Sequence, residues 1–206
     1  AIFLDGIIDV TPLEFAGIVA QIYAIENPLG KLGLVGEMAM DKPQEFRRAL
    51  RAMAITVMVL SAVFSLVGGP LLSALNVDLV GFKIAGGVII LSTSIVTLVH
   101  GSTTTLGGRL EEAAVVPLAT PLIVGPGTMT TLILYSSIYG PLLTLLGALT
   151  ASALSVATLY AGARLVKAFG PIPARALGRF MALIIATTGT ELILSGVSQY
   201  VAELRA

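Results

Sequence analysis

The sequence predicts an all-α polytopic membrane protein: six transmembrane helices in a 3+3 inverted repeat, with discontinuous first and fourth helices. Three observations carry that prediction. The chain of 206 residues is 56% hydrophobic and only 12% charged, about half the charged share of a soluble domain. Residues 113–163 and 52–77 contain no charged side chain, and the longer run suffices for two crossings of about 20 residues each. Within such apolar stretches stand two proline-glycine breaks, Asn27-Pro28-Leu29-Gly30 and Gly125-Pro126-Gly127-Thr128. Lipid offers freed backbone groups no hydrogen-bond partner, so a broken helix is tolerated only where protein or a water-lined cavity supplies one.

The predicted spans are residues 13–36, 48–75, 79–99, 113–137, 141–165 and 177–200. Turn chemistry separates them: Asp41-Lys42-Pro43 after the first, Gly107-Gly108 after the third, Tyr139-Gly140-Pro141 before the fifth and Gly170-Pro171-Ile172-Pro173 before the sixth. Tyr135 and Tyr139 suit a membrane interface. Residues 1–206 read as one membrane domain, with residues 1–100 and 113–206 as its three-helix repeats. Three spans per half is an odd number, so the second half enters the bilayer inverted.

Basic residues set the orientation. Lys42, Arg47, Arg48, Arg51, Arg109, Arg164, Lys167, Arg175 and Arg179 follow spans one, three and five, against Lys83 and Arg205 on the other face. The positive-inside rule makes the first group cytoplasmic and puts both termini outside, in a multi-pass protein of the cell (inner) membrane. The first apolar residues, interrupted by Asp5 and Asp9 and without a basic start, lack the pattern of a cleavable signal peptide.

Several function classes are disfavoured. The chain has no cysteine and one histidine, His100, which leaves no thiolate or zinc ligand set, and no metal or cofactor is expected. A net charge of +0 gives no basic face for nucleic acid. No phosphate-binding loop, HExxH helix or GxSxG elbow is present, so an enzyme is not expected.

The breaks are the leading candidate site. Asn27 is a good N-cap and Pro28 a good first helical residue, so a half-helix is predicted to start there. Gly125-Pro126-Gly127-Thr128 repeats the pattern. Each new N-terminus would aim free N–H groups and a positive dipole end at mid-membrane, where two such ends suit a carboxylate. The competing reading is a pair of kinks that only shape packing.

Glu191, about a dozen residues beyond Arg179 on span six, is expected near mid-membrane with Thr187, Thr188 and Ser195 on its face. An intramembrane acid is a functional hypothesis by default; it would hold a substrate ammonium or take up a proton. Glu26 and Lys31 flank the first break and are proton-coupling candidates with Glu191. Lys31 either pairs with Glu26 at the break or snorkels to the cytoplasmic surface, the reading the sequence favours. Ser92, Thr93, Ser94 and Thr97 on span three either line a pathway or bond their own backbone. Gly30, Gly33 and Gly36, and Gly147, Ala151 and Ser155, read as helix-packing stripes.

Taken in order, Asn27-Pro28-Leu29-Gly30, Phe82-Lys83-Ile84-Ala85-Gly86-Gly87 and residues 116–128, from Val116-Pro117-Leu118 to Gly127-Thr128, resemble the MarC family of integral membrane proteins, which includes small neutral amino-acid transporters of the SnatA type. The resemblance spans nearly the whole chain. It implies a six-span prokaryotic transporter with glycine and alanine as plausible substrates and a proton or cation gradient as the drive. The chain departs from the family pattern at Glu26, where an apolar residue is usual, and at Glu191, where glutamine is more frequent.

The expected function is therefore secondary transport of small neutral amino acids by alternating access. Its expected substrate-binding residues are Asn27, Pro28, Leu29, Gly30, Gly125, Pro126, Gly127, Thr128, Thr187 and Glu191. The expected partners are the amino acid and the bilayer; a homo-oligomer is compatible. The rival readings are a passive channel or exporter for another small solute, a membrane enzyme with Glu26 and Glu191 as an acid–base pair, and a non-catalytic assembly subunit.

Overall fold

The computed structural model describes residues 10–41, 43–100 and 125–205. These form seven α-helices and no strand: α1 (Pro12–Glu26), α2 (Pro28–Asp41), α3 (Pro43–Ala74), α4 (Leu79–His100), α5 (Pro126–Tyr139), α6 (Pro141–Phe169) and α7 (Pro171–Glu203). Six of the seven begin on a proline, whose fixed φ and missing N–H cost nothing in a first turn. The last turn chemistry before α6 and α7 is also visible, since Gly140 and Gly170 take φ of 86° and 79°. Ahead of α1, Thr11 and Glu14 close a capping box, with Glu14 N–H donating to Thr11 Oγ1 at 3.2 Å and Thr11 N–H to Glu14 Oε2 at 2.8 Å.

Among the described residues, four helices are long and apolar enough to cross a membrane: Phe46–Ala74, Leu79–Val99, Pro141–Phe169 and Ile172–Glu203. They correspond to the predicted second, third, fifth and sixth spans. Helices α3 and α7 each start several residues earlier than predicted, because Pro43, Pro171 and Pro173 all fit within an N-terminal turn. The predicted first span is divided at Asn27 into α1 and α2, each only about 20 Å long at 1.5 Å per residue. Of the predicted fourth span, α5 is its second half; residues 101–124 lie outside the described residues.

Helix α2 packs on α6 and α7, and α5 packs on α3 and α4; α3 runs against α6 and α4 against α7. Close approach is bought with glycine. A methyl group on Gly189 would stand 2.9 Å from the carbonyl oxygen of Gly87, and one on Gly178 would stand 2.9 Å from Gly30 Cα. Two apolar clusters result. Leu32, Phe46, Leu50, Val57, Leu159 and Val166 join α2, α3 and α6. Ile18, Ile22, Leu132, Tyr135, Leu143 and Ala148 join α1, α5 and α6. The outward faces remain apolar, with Ile55, Val59, Leu154, Leu183 and Leu194 about half exposed or more. Such a coat would drive association in water, whereas hydrocarbon accommodates it.

Candidate functional site

Helix α1 ends because Asn27 turns left-handed, at φ 47° and ψ 54°, a conformation asparagine tolerates better than other residues with a side chain. The same residue then starts α2. Its Oδ1 accepts from Gly30 N–H at 3.0 Å, the N-cap geometry the sequence predicts, and its own N–H donates to the carbonyls of Tyr23 and Ala24. One residue thus satisfies both ends of the interruption, its backbone N–H the first helix and its side chain the second.

Directly beside it, Glu26 is 0% exposed. A buried carboxylate must be compensated, and α6 does so: Ser152 Oγ donates to Glu26 Oε1 at 2.7 Å and Ser155 Oγ to Oε2 at 2.5 Å. Ser61 of α3 lies 3.3 Å from Ser152; with the Ser152 proton committed to Glu26, Ser61 is the donor of that pair. Lys31 folds back from α2 and its Nζ donates to the Glu26 carbonyl. The preferred expectation that Lys31 snorkels to the surface is therefore corrected. The freed carbonyl at the C-terminus of α1, at the negative end of its dipole, holds the ammonium at the break.

At the second break, Gly125 is extended (φ −80°, ψ 176°), caps α5 without a side-chain hydrogen bond, and is followed by Pro126 as first helical residue. Gly127 and Thr128 are buried, and Thr131 Oγ1 donates to the Gly127 carbonyl at 2.9 Å. The two breaks adjoin. A methyl group on Gly127 would lie 3.6 Å from Ile25 of α1 and 3.0 Å from Ile90 of α4, and Leu29 and Met129, from the first turns of α2 and α5, pack on the same apolar cluster. Asn27, Pro28 and Gly30 are buried and Leu29 and Gly125 half-buried. Gly178 of α7 packs against the first break at the backbone of Gly30.

Thr187 and Glu191 are not part of this assembly. Gly189 faces α4, so Glu191, two residues and about 200° further around the helix, points away and is exposed. Thr187 is exposed as well and donates to its own helix at Leu183. The expectation that Glu191 completes the site between the breaks is corrected. Two stripes run along α7 at helical spacing, a polar one at i,i+4 (Thr187, Glu191, Ser195) and a small one at i,i+4 and i,i+7 (Gly178, Ala182, Gly189), and the small one turns inward because it permits close backbone approach. Thr93, Ser94 and Thr97 likewise bond carbonyls of α4, which favours the backbone-bonding reading for them. Ser152 and Ser61 escaped the sequence reading and Ser155 was assigned to packing. The available signal was hydroxyl pairs at helical spacing inside uncharged spans.

A family model described as MarC family integral membrane protein matches residues 14–201. The chain belongs to the MarC family. Among the curated relatives of this MarC protein are UPF0056 membrane proteins of Pyrococcus horikoshii, 28% identical over 85% of this chain and 90% of the relative, and of Pyrococcus abyssi, 30% identical over 89% and 94%. One from Buchnera aphidicola of Acyrthosiphon pisum is 31% identical over 84% and 90%. No solved structure matches this MarC chain.

Proposed function

We propose that this protein is a secondary transporter of small neutral amino acids such as glycine and alanine, working by alternating access and coupled to protons. The observation that carries the reading is that the start of α5 lies against the end of α1 at the first break, Gly127 beside Ile25, next to one buried carboxylate. In this reading the substrate carboxylate is held by the first turns of α2 and α5, where N–H groups and dipole ends favour an anion. Small residues at Gly30, Gly125 and Gly127 restrict the space to a short side chain. Glu26 carries the coupled proton; once protonated, it no longer accepts from both Ser152 and Ser155 as a charged group, and the closed break is loosened.

The 3+3 inverted repeat belongs to the same proposal. Exchanging α2 with α5, α3 with α6 and α4 with α7 turns the packed pairs α2–α6, α2–α7 and α2–α3 into α5–α3, α5–α4 and α5–α6, all of which are packed; the smaller contact of α6 with α7 has no matching one between α3 and α4. The self-exchanging pairs meet at like residues, Ser61 with Ser152 and Gly87 with Gly189. Basic residues favour a cytoplasmic location for the end of the molecule where Arg47, Arg164 and Lys167 line a cavity of about 220 Å³, with both termini outside the inner membrane. No chemical conversion of the substrate is part of this reading.

The test is uptake of labelled glycine or alanine by proteoliposomes under an imposed proton gradient. Saturable uptake that unlabelled alanine competes away, and that collapses with the gradient, is the expected result. Uptake that rises linearly with concentration and ignores the gradient would instead support a passive channel.

A further inference from the structure

Proton coupling at Glu26 requires a route, because its carboxylate is fully buried. Along α3 the residues Ser61, Ser65, Gly69 and Ser73 recur every fourth position on one slowly turning face. They run from beside Ser152 to the end of the helix, and exposure rises along them: Ser61 and Ser65 are 0% exposed, Gly69 is half-buried and Ser73 exposed. Helix α5 supplies the facing wall. Ser136 Oγ donates to the Ser65 carbonyl at 2.6 Å, and a methyl group on Gly69 would stand 3.5 Å from Ser137 Oγ and 3.8 Å from Ser136 Oγ. Ser73 Oγ donates to the Gly69 carbonyl at 3.3 Å.

A stripe of serines alone is ordinary in membrane helices. The distinguishing feature here is the Ser65 hydroxyl, a buried oxygen with no hydrogen-bond partner among the described residues. Buried hydroxyls are almost always paired, and an unpaired one costs stability. This one stands between the Ser61–Ser152–Glu26 chain on one side and Ser136 on the other. Pro70 lies inside α3 one residue beyond Gly69. It removes the donor to the Leu66 carbonyl, which loosens the helix beside the seam.

We propose that this seam, Ser73 and Ser137 through Ser136, Ser65 and Ser61 to Ser152, conducts protons between Glu26 and the membrane face at which α3 and α5 end. The proposal rests on the reading of Glu26 as proton carrier. Each hydroxyl gives its proton to the next oxygen inward as it accepts one from outside, with water at Ser65 completing the chain. The net step adds one proton to the Glu26 carboxylate and removes one at the surface. Among the described residues around Glu26, α6 contributes both hydroxyls to the carboxylate, Ser61 of α3 reaches it through Ser152, and Lys31 is the charged group acting on it. Tyr23 on α1 is engaged with Thr158 at 2.9 Å. Arg51, Arg164 and Arg179, on the neighbouring α3, α6 and α7, are exposed.

The test follows Glu26 itself, without substrate. The full chain in nanodiscs is subjected to an acid jump, and the protonated carboxyl band is timed by infrared spectroscopy, with Glu26→Gln identifying the band. Ser65→Val and Ser65→Thr have nearly equal volume and differ by the hydroxyl. The valine variant is expected to protonate Glu26 at least about tenfold more slowly, the scale of one lost buried hydrogen-bonding step, and the threonine variant near the wild-type rate. Should Ser65→Val not assemble, Ser61→Val against Ser61→Thr asks the same question. Equal rates in the valine and threonine variants, or a Glu26 band that never appears, overturn the seam. Absent uptake with an intact valine–threonine difference would overturn the transport reading alone.

Discussion

The two breaks share a backbone plan and differ in everything attached to it. At the first, Asn27 caps α2 through its side chain, Glu26 is clasped by two serines and Lys31 holds the loose carbonyl. At the second, Gly125 makes no side-chain cap, and residues 125–132 contain no charged group. A proline and a glycine suffice to interrupt a helix; they do not supply chemistry. Under the proposed transport reading, the titratable role falls to the first break alone.

The largest expected effect follows from that asymmetry. Glu26→Gln keeps hydrogen-bonding capacity toward Ser152 and Ser155 but cannot bind and release a proton. Gradient-driven accumulation of alanine is expected to be abolished, while exchange of labelled for unlabelled alanine across the proteoliposome membrane persists. Unimpaired accumulation would remove Glu26 from the coupling step and erase the difference between the breaks.

Glycine substitutions sharpen the comparison as stability measurements. A methyl group on Gly178 meets the backbone of Gly30 at 2.9 Å, whereas one on Gly125 meets nothing within 4 Å. Gly178→Ala is expected to destabilise by about 1–3 kcal/mol, the usual scale of overpacking, and Gly125→Ala by less, in thermal unfolding of the detergent-solubilised protein. The reverse order would mean that the second break, not the first, is the one held shut.

The legible and illegible parts of this molecule divide along one line. Features that act within a few residues could be read: the long apolar spans, the Asn27 cap, and the proline starts of α2, α5 and α6. Features fixed by which helices meet could not. Ser152 and Ser155 lie 126 and 129 residues from Glu26, and no local pattern joins them. The same limit misassigned Glu191. On α7 a polar and a small-residue stripe both follow helical periodicity, and packing against α4 chose between them.

A smaller effect is expected at the cap. Asn27→Ala loses the bond to Gly30 and places alanine in a left-handed conformation, for a cost of about 0.5–2 kcal/mol from the cap alone. Gly30→Ala reaches the same bond from the other side, since its methyl group would stand 2.6 Å from Asn27 Nδ2. Both changes delete one interaction, so the double variant is expected to lose less stability than the sum of the singles. Strict additivity would show that the cap is not what fixes the break.

The smallest expected effect is the most informative about the second acid. Glu191 shares an exposed face with Thr187, Ser195 and Gln199, and Lys83 of α4 reaches the outer part of that face at Ser195 and Gln199, at 3.4 and 3.3 Å. These contacts tie α4 to α7 far from Pro28, and none of them involves Glu26. Glu191→Gln is therefore expected to leave the proton dependence of alanine uptake unchanged, measured as the ratio of uptake with and without the gradient. If that ratio falls toward one, an outward-facing acid is coupled to the breaks, and the covering of this face becomes part of the transport site. If it holds, the polar stripe and the closed break act independently, and the asymmetry between the two breaks accounts for coupling without a second carboxylate.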